Sequence, residues 1–233
     1  MNSQDTTMNR AASIALPQAG STASHPPAVQ RVLRNTYALL GLTLLFSAGV
    51  AAFSAAAGLP HPGLLVSLAG MFGLLFLTAR LANSGWGLLS VFALTGFMGY
   101  TLGPVIGRVL SFPGGAQVVA MALATTAITF FALSAWVLTT KRDFGFMGGF
   151  LFAGMVIALL AGIGAYAFEI PALALAVSAI VVLLSAGLIL FETSRIVTGG
   201  ETNYVLATVG LYVSIFNLFT SLLSLFGFAG ADE

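Results

Sequence analysis

Seven apolar stretches, at residues 36–57, 63–79, 85–106, 116–139, 144–168, 171–191 and 204–228, fill the chain from Asn35 onward. Nearly every charge falls in a gap between them. Each stretch is close to the roughly 20 apolar residues needed to cross a bilayer. Water does not tolerate this much exposed hydrocarbon, and 6% charged residues is far below the roughly 25% of soluble domains. In lipid, only helices and closed barrels satisfy every backbone polar group. Barrel strands alternate over about ten residues, whereas these runs are long and continuous. The expected fold is therefore an all-α integral membrane protein, a bundle of seven transmembrane helices.

Residues 1–33 are polar and mixed, with Pro17, Pro26 and Pro27 among them. They are expected to form a flexible tail ahead of a transmembrane domain at 34–233. The first apolar run is too long for the core of a signal peptide, so it is expected to remain as an uncleaved first span. Arg10, Arg31, Arg34, Arg80, Lys141, Arg142 and Arg195 fall on one side of the predicted topology, and Arg108 stands alone on the other. Basic loops stay in the cytoplasm. The tail is thus expected inside the cell and, after an odd number of spans, Asp232 and Glu233 outside.

Several function classes drop out. The chain has no cysteine, which excludes disulfides, thiolate metal sites and cysteine nucleophiles. No basic helix or aromatic–basic patch is present to bind nucleic acid. The two histidines, His25 and His61, lie in the tail and an outer turn, and neither H-E-x-x-H nor G-x-S-x-G occurs. The pair Gly199 and Gly200 signals a loop, since no P-loop lysine follows. The expectation is a protein that is not an enzyme, with no catalytic residues, no organic cofactor and no metal site.

Helices in lipid associate through close packing and interhelical hydrogen bonds. Gly96, Gly99, Gly103 and Gly107 form one helical stripe in the third span. Pro104 follows Gly103 and removes a backbone donor. Gly154, Ala158, Gly162 and Ala165 repeat the stripe in the fifth span. Two readings stand for these stripes: packing alone, or a functional kink at Gly103 and Pro104.

The last two spans carry polar stripes. In the sixth, Ser178, Ser185 and Glu192 recur every seven residues, two helical turns apart. In the seventh, Gly210, Ser214, Asn217, Ser221 and Ser224 are spaced four, three, four and three. Matched stripes on neighbouring helices predict an interface that is either hydrogen-bonded shut or partly wet. Glu192 is either an interfacial carboxylate at a helix end or an intramembrane functional acid with a partner. Asn217 either locks the bundle or lines an ion path. Arg80, on the same side as Glu192, either pairs with it or reaches the headgroups.

Three segments carry a resemblance: TGFMGYTLGP at 95–104, LFETSRI at 190–196 and LYVSIFNLF at 211–219. They resemble signatures of the Bax inhibitor family. With GGETNY at 199–204 and VLRNTY at 32–37, the likeness narrows to a bacterial inner-membrane member that modulates the FtsH protease. The resemblance covers residues 31–228. It implies a last helix enclosed by the other six. It also implies FtsH, a membrane-anchored ATP-dependent protease, as partner, gripping the cytoplasmic tail while the bundle resists extraction. Other members behave as pH-sensitive calcium leak channels, which would make calcium a permeant ion. In those, two aspartates on the sixth and seventh helices share a proton. Glu192 falls on the first position and Ser214, which cannot ionise, on the second. The ion-path candidates are therefore Glu192, Ser214, Asn217, Ser221 and Arg80, and the packing or kink candidates are Gly99, Gly103 and Pro104.

Overall fold

Prolines and glycines place the helix ends. The computed structural model describes residues 27–229, and among them lie seven long helices and no strand. They are α1 (Pro27–Ala56), α2 (Leu64–Leu81), α3 (Gly87–Leu110), α4 (Gly115–Thr140), α5 (Gly148–Ala167), α6 (Pro171–Val197) and α7 (Tyr204–Ala229). A single 3-10 turn at Gly145–Met147 leads into α5. Pro27 and Pro171 open α1 and α6 at the first helical position, where a missing N–H costs nothing. All seven are long and apolar enough to span a bilayer.

Two predicted boundaries move. The first helix starts at Pro27, so residues 27–33, expected in the tail, belong to α1. The rest of the expected tail, residues 1–26, lies outside the described residues, as do 230–233. The sixth helix runs to Val197 rather than stopping at Phe191. Its polar segment from Glu192 to Arg195 reads like an exit from the membrane, yet nothing there breaks a helix. The break comes at Gly199, whose φ of 80° suits a glycine closing a helix in the left-handed region.

The bundle is arranged around α7, the most buried helix, which touches α1, α2, α3, α4 and α6. It does not touch α5, which packs on α6. The expected ring of six around the last helix is thus a ring of five. The small-residue stripe of α5 explains why. Gly154 meets the Leu184 side chain of α6, where an added Cβ would lie 2.8 Å away, and Gly162 faces Val177. That stripe is spent on α6, leaving α5 on the periphery. Its outer face is hydrocarbon, with Phe150, Phe152 and Ile157 exposed, which suits lipid.

The α3 stripe is a packing surface against α1. A methyl group at Gly99 would collide with the backbone oxygen of Ser47, and one at Gly103 with the Ser54 side chain. Gly96 meets Phe46, and Gly107 lies in ordinary contact range of Ala55. Pro104 sits inside a single helix that continues to Leu110. It cannot donate to the carbonyl four residues back, which is that of Tyr100. The Ser54 hydroxyl donates to that oxygen instead, at 3.1 Å. The close approach that Gly103 permits is what brings Ser54 there.

Candidate functional site

The junction of α6 and α7 holds the densest group of charges. Past Val197 the chain turns through Gly199, and the Glu201 amide donates to the Arg195 carbonyl at 3.0 Å. Asn203 then starts α7: its Oδ1 accepts from the amides of Val205 (2.8 Å) and Leu206 (3.3 Å), the usual service of an asparagine cap. The Asn203 amide group also donates to the Ala82 carbonyl at 3.1 Å and to Asn83 Oδ1 at 2.8 Å. This loop is thereby tied to the α2–α3 connection. The Glu201 carboxylate accepts from the Asn203 amide at 2.9 Å and from the Arg195 guanidinium at 3.0 Å.

Arg195 faces two acids. Its second partner is Glu192, one turn back on α6, at 3.5 Å. The Glu192 side chain is 14% exposed and its carboxyl lies flat against α7 at Gly210. An added Cβ there would stand 2.7 Å from Glu192 Cδ. Glycine at 210 is what lets a carboxylate fit between the two helices. Of the two readings for Arg80, the pair with Glu192 is not formed. Arg80 is exposed and its guanidinium sits 5.1 Å from the centre of the Phe76 ring. Arg195, three residues along the same helix, is the nearer cation, and pairs at that spacing face each other. That spacing was visible in the amino-acid string, but Arg195 was read only as a topology marker.

The remaining seam residues do not join across the two helices. Ser214, nearly fully buried, donates to its own helix at the Gly210 carbonyl, 2.9 Å. Ser178 likewise donates to the Ala174 carbonyl at 2.9 Å. Ser185 is fully buried, and its hydroxyl has no partner. Ser221 is buried, Asn217 half-buried and Ser224 exposed. Among the described residues no side-chain hydrogen bond links the two stripes. The interface is therefore not hydrogen-bonded shut, and Glu192 against Gly210 is its polar contact.

The polar ties of α7 run elsewhere. Tyr212, 1% exposed, shares a 2.6 Å hydrogen bond with Ser47 of α1 and donates to the Thr95 carbonyl of α3 at 3.4 Å. Thr208 donates to the Thr36 carbonyl of α1 at 3.3 Å. All three bonds join residues more than 100 positions apart, so spacing within one helix does not name the partners. Ser134 of α4 and Thr193 of α6 make a further link at 3.4 Å. Among the described residues no three His, Asp or Glu side chains gather as a metal site would need.

This architecture defines a class, the multi-pass helical membrane protein with a buried final helix. Residues 29–231 match the family described as Inhibitor of apoptosis-promoting Bax1, and the chain belongs to that Bax inhibitor family. It is 54% identical over 202 residues to the protein of Escherichia coli K12 named modulator of FtsH protease YccA, spanning 87% of this chain and 92% of that one. The counterpart in another Escherichia coli strain, equally similar, is named inner membrane protein YccA. An uncharacterized protein of Pseudomonas aeruginosa is 52% identical over 93% of this chain and 97% of its own length. The chain is a multi-pass protein of the bacterial inner membrane.

Proposed function

We propose that this protein modulates the FtsH protease, acting as a membrane-embedded inhibitor and slow substrate engaged through residues 1–26. The carrying observation is the 54% identity, across 87% of this chain, to a protein named for that role. The bundle supports the reading physically. A protease that pulls from one end must strip the helices from one another, and buried α7 is tied to α1 and α3 through Tyr212, Ser47 and Thr208. Arg31, Arg34, Arg80, Lys141, Arg142 and Arg195 all lie at or near the bundle end where α1 begins. The positive-inside rule supports a cytoplasmic position for that end, within reach of such a protease. The test is FtsH proteolysis of a second membrane substrate in proteoliposomes. The full chain is expected to slow it, and a form lacking residues 1–26 is expected to lose the effect. Equal slowing by the shortened form would end the tail mechanism.

One contact favours a second reading, a cation leak. Glu192 places a carboxylate between α6 and α7 at Gly210, above Ser214, Asn217 and Ser221 on the same α7 stripe. Calcium flux into proteoliposomes tests it: Glu192→Gln is expected to change the rate. Flux through the unmutated protein no greater than in empty liposomes removes the leak altogether.

A further inference from the structure

A cleft of about 890 Å³ opens between α1 and α4 in the half of the bundle away from the Glu192 cluster. The two helices flank it and meet through the Tyr37 and Phe130 rings, whose centroids lie 6.0 Å apart. Its walls include Ala48 and Ala52 of α1 and Leu123 and Phe131 of α4, and Phe216 and Phe219 of α7 form its floor. A groove between two helices over an apolar floor, with Leu123 and Phe131 exposed along its side, faces the hydrocarbon of the bilayer.

The few hydroxyls in the cleft are already engaged. Ser47 bonds Tyr212 at 2.6 Å, Thr126 donates to the Ala122 carbonyl at 2.7 Å, and Ser111 to the Arg108 carbonyl at 2.6 Å. Water needs two to four polar partners to occupy a site, and this lining offers it little. An apolar chain fits the chemistry. At the far end, Gly107 and Leu110 of α3 and Ser111 just after it line the cleft; Arg108, beside Gly107 in the same last turn, is not part of that lining. Arg108 is exposed and forms no ion pair among the described residues. It is also the one Lys or Arg at that end of the described bundle. A charge without a counter-charge, in the helical turn that borders the end of a hydrocarbon slot, complements an anionic headgroup.

We propose that the α1–α4 cleft is a lipid site, holding one acyl chain of an anionic phospholipid whose phosphate is held by Arg108. The acyl chain lies between α1 and α4 and covers the floor on which Tyr212 lies.

Full-length protein in nanodiscs containing phosphatidylglycerol with a photoreactive acyl chain tests this, with labelled peptides mapped by mass spectrometry. Labelling at 44–56 and 119–131 is expected to exceed labelling of the α5 face at 150–160, which is just as open to lipid. Ala52→Phe or Ala48→Phe is expected to abolish that excess and leave α5 labelling unchanged. Arg108→Gln is expected to lower retention of phosphatidylglycerol about fivefold relative to phosphatidylcholine, the factor matching the roughly 1 kcal/mol of one basic residue at an anionic surface. Uniform labelling of all lipid-facing helices in the unmutated protein would overturn the site. So would Ala52→Cys forming a disulfide between copies in membranes, since the cleft would then hold a second copy.

Discussion

Ser54 of α1 donates to the Tyr100 carbonyl of α3 the hydrogen bond that Pro104 cannot supply. The two helices thus share one backbone repair, and the proline makes the serine necessary. An orphaned buried carbonyl costs roughly 1–3 kcal/mol. Ser54→Ala is expected to destabilise the protein by that order in unfolding from mixed micelles. In a Pro104→Ala background, where the amide returns, the loss is expected to shrink. Additive effects of the two substitutions would show that the hydroxyl does no such repair.

The α3 glycines predict a gradient along one stripe. At Gly99 and Gly103 an added methyl meets α1 too closely, while at Gly107 it finds Ala55 Cβ at 3.8 Å. Overpacking costs about 1–3 kcal/mol, so Gly99→Ala and Gly103→Ala are expected to lose that much. Gly107→Ala is expected to lie within about 0.5 kcal/mol of the parent. Thermal unfolding of the three variants checks the order, and equal losses at all three would contradict it.

Tyr212 and Ser47 join α7 to α1 through one short hydrogen bond. Interhelical bonds of this kind in membrane proteins measure about 0.6 kcal/mol on average and up to about 1.7. A Tyr212→Phe, Ser47→Ala double-mutant cycle is expected to give a coupling in that range. Tyr212→Phe is also expected to speed extraction by FtsH, since the tie lies on the helix buried deepest. A coupling of zero would place the stability of α7 in packing alone.

Glu192 and Gly210 interlock by shape. Gly210→Ala is expected to displace the carboxylate and lower the midpoint of thermal unfolding by several degrees, as a loss of about 1 kcal/mol does. In a Glu192→Ala background the same glycine substitution is expected to be nearly silent. Arg195 is 37% exposed on its side chain, so its ion pairs with Glu192 and Glu201 are screened. Arg195→Gln alone is expected to cost under about 1 kcal/mol. A Gly210→Ala loss that persists without the Glu192 side chain would point to some other neighbour.

Part of the site was legible along the chain. The stripe spacing draws attention to Glu192 and Gly210, which lie in contact, and to the α3 face that packs on α1. The partner of Glu192 is not legible there, because Arg80 and Arg195 lie at the same end and only distances separate them. The seam from Ser178 to Ser224 looked like a matched pair of polar faces. Serines inside helices satisfy themselves on the carbonyl four residues back, as Ser178 and Ser214 do, so spacing alone does not reveal a cross-link. Thr36, Thr43, Ser47 and Ser54 share one face of α1, but that spacing does not say that Tyr212 and the Tyr100 carbonyl meet it.

Apolar length determined the seven spans and the all-helical class, because lipid judges each segment separately, by how much hydrocarbon it offers and whether its own backbone is satisfied. Charge in the loops supplied the orientation argument in the same one-dimensional way. Only the tertiary structure decided that α5 is excluded from α7, that Arg195 rather than Arg80 neutralises Glu192, and that Ser54 mends the break at Pro104. Each of those outcomes depends on which helix faces meet, and helices far apart in the chain choose one another by shape and by leftover polar groups.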